Sequence, residues 1–525
     1  MKKVIFVSLM TVLAIGLVFS VCTGEEKPRY GGTFVWNHNG GIPKIGAPSD
    51  DLGIAGNRNM YPALEPLLIT DDQERLQPWL AESWETAPDG KWIILRLRKG
   101  IKFQDGTDFD AEAVKTNLET VYKANIRGTG VLGKISSYDV LDKYTLRMNL
   151  KEYDCTLLLR MAQSGMGQMV SPTALKKETT PENMAKLHSV GTGPFMFDSW
   201  KRDAYVKYKK WDGYWQKGKP YLDAIKIQNI PDLTVSIMSF KSGEAQAVEN
   251  IDPVDAVQLA KEGYEIYQPS LYFLHSILPS GANPDSPFAK RKVRLALEYA
   301  LDKKTMAKGI GMGYYEALCE LATKNDPWYN PTLKFREYDP AKAKQLLAEA
   351  GYPDGFKMVI AYPTGGSGNM FPGIMVEKSQ QDLAAIGIDA ELVPMEWNNV
   401  ITGFRAGFAN PDWEKYDALY FSTAPLTPVL TLAGYTSERI PPAGCCNTSG
   451  LSDPEVDRLY ALAKETFDKE EQDKIMQQAV VAMMKQAPVI ITVHDLNLRV
   501  LSPKVKGFVQ PQSWFVNLKS VWVES

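Results

Sequence analysis

Aromatic rings set beside single hydrogen-bonding side chains recur along this chain, a combination that suits gripping a small molecule better than breaking bonds. Trp36 and His38 stand in Trp36-Asn37-His38-Asn39-Gly40, and Tyr272 and His275 lie just after Pro269. Trp397 lies in Met395-Glu396-Trp397-Asn398-Asn399, Phe421 ends the run Tyr416-Asp417-Ala418-Leu419-Tyr420-Phe421, and Trp514 falls in Gln512-Ser513-Trp514-Phe515. Stacking and burial on such rings give affinity without demanding one functional group. The histidines would add hydrogen bonds, and the planar fork of Arg405 fits a carboxylate. Each residue also fits an ordinary structural role, as a loop histidine, a packed core ring or a helix-surface arginine.

Signals for catalysis fail one by one. Gly309-Ile310-Gly311-Met312-Gly313 looks like a phosphate loop, but it follows a helical stretch and lacks the full spacing, so it reads as a turn. There is no GxSxG elbow and no GxxxxGK[ST] loop, and Gly365-Gly366-Ser367-Gly368 is most simply a loop. Four histidines without an HxxxH pair, and cysteines without a CxxC pair, give no zinc pattern, so neither a metal nor another cofactor is expected. Carboxylates are numerous, but no pair is placed by the sequence for acid–base work.

The elements that must position these residues read as mixed α/β. Trp92-Ile93-Ile94-Leu95-Arg96-Leu97 and Thr145-Leu146-Arg147-Met148-Asn149-Leu150 alternate as strands do. Asp339 as N-cap, Pro340 at the first helical position and Gly351 as stop predict a helix whose Ala343, Leu346, Leu347 and Ala350 share one face. A second amphipathic helix runs from about Arg291 to Asp302. Lys99 to Thr107 combines strand residues with an Asp105-Gly106 turn, and Asp110 caps a helix through Glu119.

At 525 residues the chain holds more than one domain, and with 44% hydrophobic and 23% charged residues it has ordinary globular composition. A net charge of -3 with scattered basic residues offers no footprint for nucleic acid. Lys2 and Lys3, the apolar run from Val4 to Val21 and the polar stretch from Thr23 to Pro28 have the order of a secretory signal over 1–22; the alternative is a spanning anchor. Cys22 stands where a lipoprotein carries its lipidated cysteine, although Val21 is larger than the residue usual before it. Of the other cysteines, Cys155, Cys319, Cys445 and Cys446, the adjacent pair is not expected to bond to itself.

A long series of landmarks resembles the family 5 extracellular solute-binding proteins, the peptide, nickel and opine-type binders of ABC importers. It comprises Leu80-Ala81-Glu82-Ser83-Trp84-Glu85, Pro88-Asp89-Gly90-Lys91 and Leu95 through Gly106, then Gly191-Thr192-Gly193-Pro194-Phe195 and Trp211-Asp212-Gly213-Tyr214-Trp215. It continues through Gly218 to Asp223, Val293 to Asp302, Ala343 to Gly355 and Val505-Lys506-Gly507-Phe508. The resemblance implies a two-lobe periplasmic-binding-protein fold with a ligand cleft between the lobes and an inserted subdomain in the first. The first lobe would take 25–60, 190–268 and 490–525, with the insert at 61–189, and the second would take 269–489.

The same resemblance puts His38 toward the cleft, Tyr272 and His275 near the first crossing between lobes, and Trp397, Phe421 and Trp514 nearest the ligand. Peptide binders of the family carry an aspartate after the strand that here ends at Phe421, whereas this chain continues Ser422-Thr423-Ala424. A buried ligand ammonium would then lack its counter-charge, which disfavours ordinary peptides, and Thr423 joins the expected binding residues. The implied function is the extracytoplasmic substrate-binding component of an ABC importer, a monomer that captures a short peptide, modified amino acid, opine or sugar conjugate for the permease subunits. An exported sensor or an exported hydrolase on the same fold are the alternatives.

Overall fold

The computed structural model describes residues 27–524 except 40, 43, 51, 72–74, 127–128, 178–179, 269–272, 318, 323–327, 331–332, 334–335, 366–370, 409, 424–427, 496 and 511–514. The signal at 1–22 with Cys22, and the candidates Tyr272 and Trp514, lie outside the described residues.

The chain opens with strand β1 (Thr33–His38) and helix α1 (Gly53–Met60). Strands β2 (Ala81–Thr86) and β3 (Trp92–Leu97), helix α2 (Ala111–Lys123), strands β4 (Ile135–Asp142) and β5 (Thr145–Leu150) and helix α3 (Thr156–Gln163) then form a separate unit. Its sheet is antiparallel in the order β2-β3-β5-β4. The chain returns through β6 (Phe195–Lys201), β7 (Tyr205–Lys210), β8 (Ala224–Asn229), β9 (Ala247–Glu249) and β10 (Ile266–Tyr267). It then crosses to β11 (Phe273–Pro279), α4 (Arg291–Ala300), α5 (Pro340–Glu349), β12 (Phe356–Pro363), α6 (Pro372–Ala384) and β13 (Ile388–Met395). Helix α7 (Trp397–Ala406), β14 (Ala418–Thr423), α8 (Pro454–Glu465), α9 (Lys469–Gln486), β15 (Ile490–Asp495) and β16 (Arg499–Leu501) complete the frame.

Two large sheets result. One has seven strands in the order β10-β16-β9-β1-β8-β7-β6, and β1 runs parallel to both of its neighbours. The other has five strands in the order β13-β12-β14-β11-β15. The expected start of the returning segment at residue 490 gives way to one after Asp495, because Ile490 and Ile491 pair with β11 and the chain re-enters the seven-stranded sheet only at Arg499.

Sequence period explains both sheets. In β14, Leu419 and Phe421 enter one core while Ala418 and Tyr420 enter another, so the five-stranded sheet is buried on both faces and this strand is apolar from Ala418 to Phe421. In β3 only every second residue is deeply buried, Ile93, Leu95 and Leu97, because one face of that sheet looks to solvent. Helix α5 starts where Asp339 accepts the Lys342 amide at 2.8 Å, and it stops before Gly351 at φ +93°. Asp110 caps α2 through the Ala113 amide at 3.0 Å, and the helix runs on to Lys123. The segment from Gly309 to Gly313 closes a helical stretch, with a π-helical turn over Met306–Ile310.

Cys445 and Cys446, which the sequence reading did not expect to pair, are bonded to each other. Cys155 and Cys319 are free. Away from the large sheets, the inserted unit touches the second half of the chain. The Tyr153 and Phe467 rings lie 4.2 Å apart, and the Cys155 amide donates to the Lys464 carbonyl at 3.1 Å.

Candidate functional site

Strand β1 is the switch point of the seven-stranded sheet, since the chain builds β8 on one side of it and β9 on the other, both parallel to it. Open sheets of this kind bind ligands beyond the carboxyl ends of strands at such a point. A pocket lies there, lined by Trp36 and His38 of β1, Arg58 and Asn59 of α1, Pro62, Ile227 of β8, Glu249 at the end of β9, Val516 and Leu518. Most of its wall is apolar, and its few polar groups converge from separate elements.

Charge is concentrated on one side. Glu249 accepts Arg58 Nη1 at 2.7 Å and faces Arg499 Nε at 3.3 Å, and the Glu249 and Arg499 side chains are 2% exposed. Arg499 also donates to Gln510 Oε1 at 3.0 Å and lies 5.4 Å from the centre of the Trp36 ring. Burial alone would raise the Glu249 carboxyl, but the Arg58 and Arg499 guanidiniums outweigh it and hold the group ionised, below the ordinary range. Burial, with help from Arg58, pushes His38 down to about 4, so it is a neutral hydrogen-bonding group at pH 7. The Trp36 indole Nε1 and the Asn59 Oδ1, on residues 7% and 1% exposed, are buried without a hydrogen-bond partner among the described residues.

A second buried acid holds this wall to the inserted unit. Glu65 accepts Tyr214 Oη at 2.7 Å, Trp215 Nε1 at 2.9 Å, Trp79 Nε1 at 3.1 Å and Thr192 Oγ1 at 3.1 Å. Burial pushes its carboxyl up and the hydrogen bonds pull it back. The Lys519 ammonium lies 3.6 Å from the centre of the Trp79 ring, and burial lowers it to about 8. Gly191 and Gly193 flank Thr192 because the backbone of Pro62 and Ala63 passes against them, and a Cβ at either position would collide with it. The landmarks Gly191-Thr192-Gly193 and Tyr214-Trp215 therefore have one physical purpose, to bring donors onto Glu65.

Residues 75–428 match the model of the bacterial extracellular solute-binding proteins, family 5. The chain belongs to that family. It is similar to the glutathione-binding protein GsiB of Salmonella paratyphi A, at 29% identity over 493 residues, covering 89% of this chain and 90% of that protein. Among solved structures it matches the periplasmic binding protein DppA from Helicobacter pylori in complex with the peptide STSA, with a TM-score of 0.78 and 22% identity over 95% of this chain and 99% of that one. The protein AgaA in complex with agropinic acid from A. tumefacien R10 matches with a TM-score of 0.79 and 23% identity over 94% of this chain and 99% of that one. The fold is the two-lobe periplasmic-binding-protein fold.

Within this family 5 chain the candidates named from sequence fall into separate groups. Trp36 and His38 share the pocket of the seven-stranded lobe. Phe421 is 3% exposed in the core of the other lobe, with the half-buried Trp397 ring 6.0 Å away and Phe404 at 4.7 Å. His275 stands opposite Ser422 in the β11–β14 ladder, and Thr423 opposite Leu274. Arg405 is exposed on the last turn of α7. Arg58, Asn59, Glu249 and Arg499 were not named from sequence. A signal for two of them is there, since Glu249 and Arg499 are lone charges in the runs Ala247-Val248-Glu249 and Leu498-Arg499-Val500-Leu501, where charge is rarely buried unless paired.

Proposed function

We infer that this chain is the extracytoplasmic substrate-binding component of an ABC importer, which closes its two lobes over a small polar solute and delivers it to the permease subunits. The observation that carries this reading is the pocket at the switch point of β1, in a chain that belongs to family 5. The names of its relatives agree in kind, since they speak of glutathione, a peptide and agropinic acid. A ligand shifts an open–closed equilibrium only by its extra affinity for the closed form, and enclosure by both lobes supplies that difference.

On this reading the first lobe holds 25–268 with its insert at 61–189 and the return after Asp495, and the second holds the rest. Tyr272, His275, Trp397, Arg405, Phe421 and Thr423 of the second lobe and Trp514 of the first complete the cleft on this reading, with Phe421 packed behind Trp397. The protein works as an exported monomer without a cofactor, freed from its signal or held by a lipid on Cys22. Because Ser422-Thr423-Ala424 takes the place of an acidic segment, the cargo is held without an ammonium–carboxylate contact there.

Mass spectrometry of whatever is released when the purified protein is denatured tests the reading. One intact small polar solute per chain is the expected result. A turnover product in place of an intact solute would favour the hydrolase instead.

A further inference from the structure

We propose that the switch-point pocket seats a carboxylate of the solute, with the Trp36 indole N–H and the Arg58 guanidinium as its donors. The proposal rests on the binding-protein reading and names the chemical class of its ligand.

Three observations carry it. Trp36 lines the pocket, and its buried Nε1–H has no acceptor among the described residues, so an acceptor on an occupant would offset its desolvation. The ionisable groups that act on one another here are Arg58, Arg499, Glu249 and His38, and with His38 neutral they count two guanidiniums against one carboxylate, a charge of +1. Glu249 also lines the pocket and would repel an anion by itself, but it is held between Arg58 at 2.7 Å and Arg499 at 3.3 Å. The third observation is position: Arg499 is the first residue of β16, directly after the crossing from the other lobe, so the charge sits where the two lobes join.

The group seated there must be small, because Ile227, Pro62, Val516 and Leu518 close the remaining wall. A planar carboxylate matches the fork of a guanidinium and can accept the indole N–H with its second oxygen. The Asn59 side-chain amide can turn either its oxygen or its NH₂ toward the part of the solute beside the carboxylate.

Propionate and its neutral isostere propionamide test this on the full mature protein, stripped of solute, with the Trp36 indole N–H resonance as readout and Trp36→Phe to assign it. Propionate is expected to shift that resonance saturably and propionamide to leave it in place. Arg58→Gln, which keeps the Glu249–Arg499 pair, is expected to weaken propionate at least tenfold with an unchanged circular dichroism spectrum. Trp36→Phe, which leaves every ion pair intact, is expected to weaken propionate several-fold, read by calorimetry, and keeps the test valid if Arg58→Gln fails to fold. Equal shifts from both probes, no shift from either, or unchanged affinity in the variant that folds would overturn the proposal. A released solute that carries no anionic group would overturn it while leaving the binding-protein reading standing.

Discussion

Glu249→Ala is expected to destabilise the protein by about 3–5 kcal/mol, read as a lower midpoint of urea unfolding, because it strands two guanidiniums in a buried site. The arginines cannot shed their protons and their side chains are 12% and 2% exposed, so the uncompensated charge stays in the fold. Glu249→Gln keeps the shape and the acceptor oxygen but not the charge, and should fall between alanine and the native residue. Acid should act in the same direction. The folded His38 value of about 4 lies below its ordinary 6.5, so neutral His38 is compatible with the fold and stability is lost as pH falls through that window. The lowered Glu249 carboxyl adds stability above its ordinary 4.5 that drains as pH drops further. A loss under about 1 kcal/mol in Glu249→Ala would mean that the two arginines find water or other partners, and the buried cluster would be wrong as described.

Glu65→Ala should cost a similar amount, about 3–5 kcal/mol, by a different route: the buried donors of Trp79, Thr192 and Tyr214 and the half-buried one of Trp215 lose their common acceptor at once. Trp79 sits in the core of the inserted unit with Trp215 packed against that core, while Thr192 and Tyr214 lie in the chain that returns from it, so the damage falls on that junction. Limited proteolysis should show earlier cleavage between residues 60 and 80 in this variant, while the five-stranded lobe keeps its protection. Tyr214→Phe, which removes one donor and leaves the carboxylate three, should cost only about 0.5–1.5 kcal/mol. If Glu65→Ala and Tyr214→Phe cost the same, the carboxylate does not act as a hub.

Local chemistry was the legible part of this sequence. The run from Asp339 to Gly351 contains its own cap, its own first-turn proline and its own left-handed stop, so nothing distant is needed to read it. The alternating strand at Trp92–Leu97 is equally self-contained. The family landmarks were legible as a pattern, but their purpose was not: Thr192 and Trp215 meet at Glu65 only after the chain has passed through the inserted unit and back. The pocket is a product of sheet order in the same way. Arg499 reaches Trp36 because β16 lies beside β9 and β9 beside β1, a neighbourhood that joins residues more than four hundred positions apart and leaves no periodic trace. His38 and Trp36 could be named as candidates because aromatic and imidazole side chains at the end of a strand are conspicuous, whereas Arg58 on a short helix is not.

Small-angle scattering of the stripped protein, with and without the solute recovered from it by denaturation, addresses lobe closure directly. Saturating solute should reduce the radius of gyration as the seven-stranded and five-stranded lobes close, and the change should follow the binding isotherm. A profile that stays the same at saturation would contradict capture by closure.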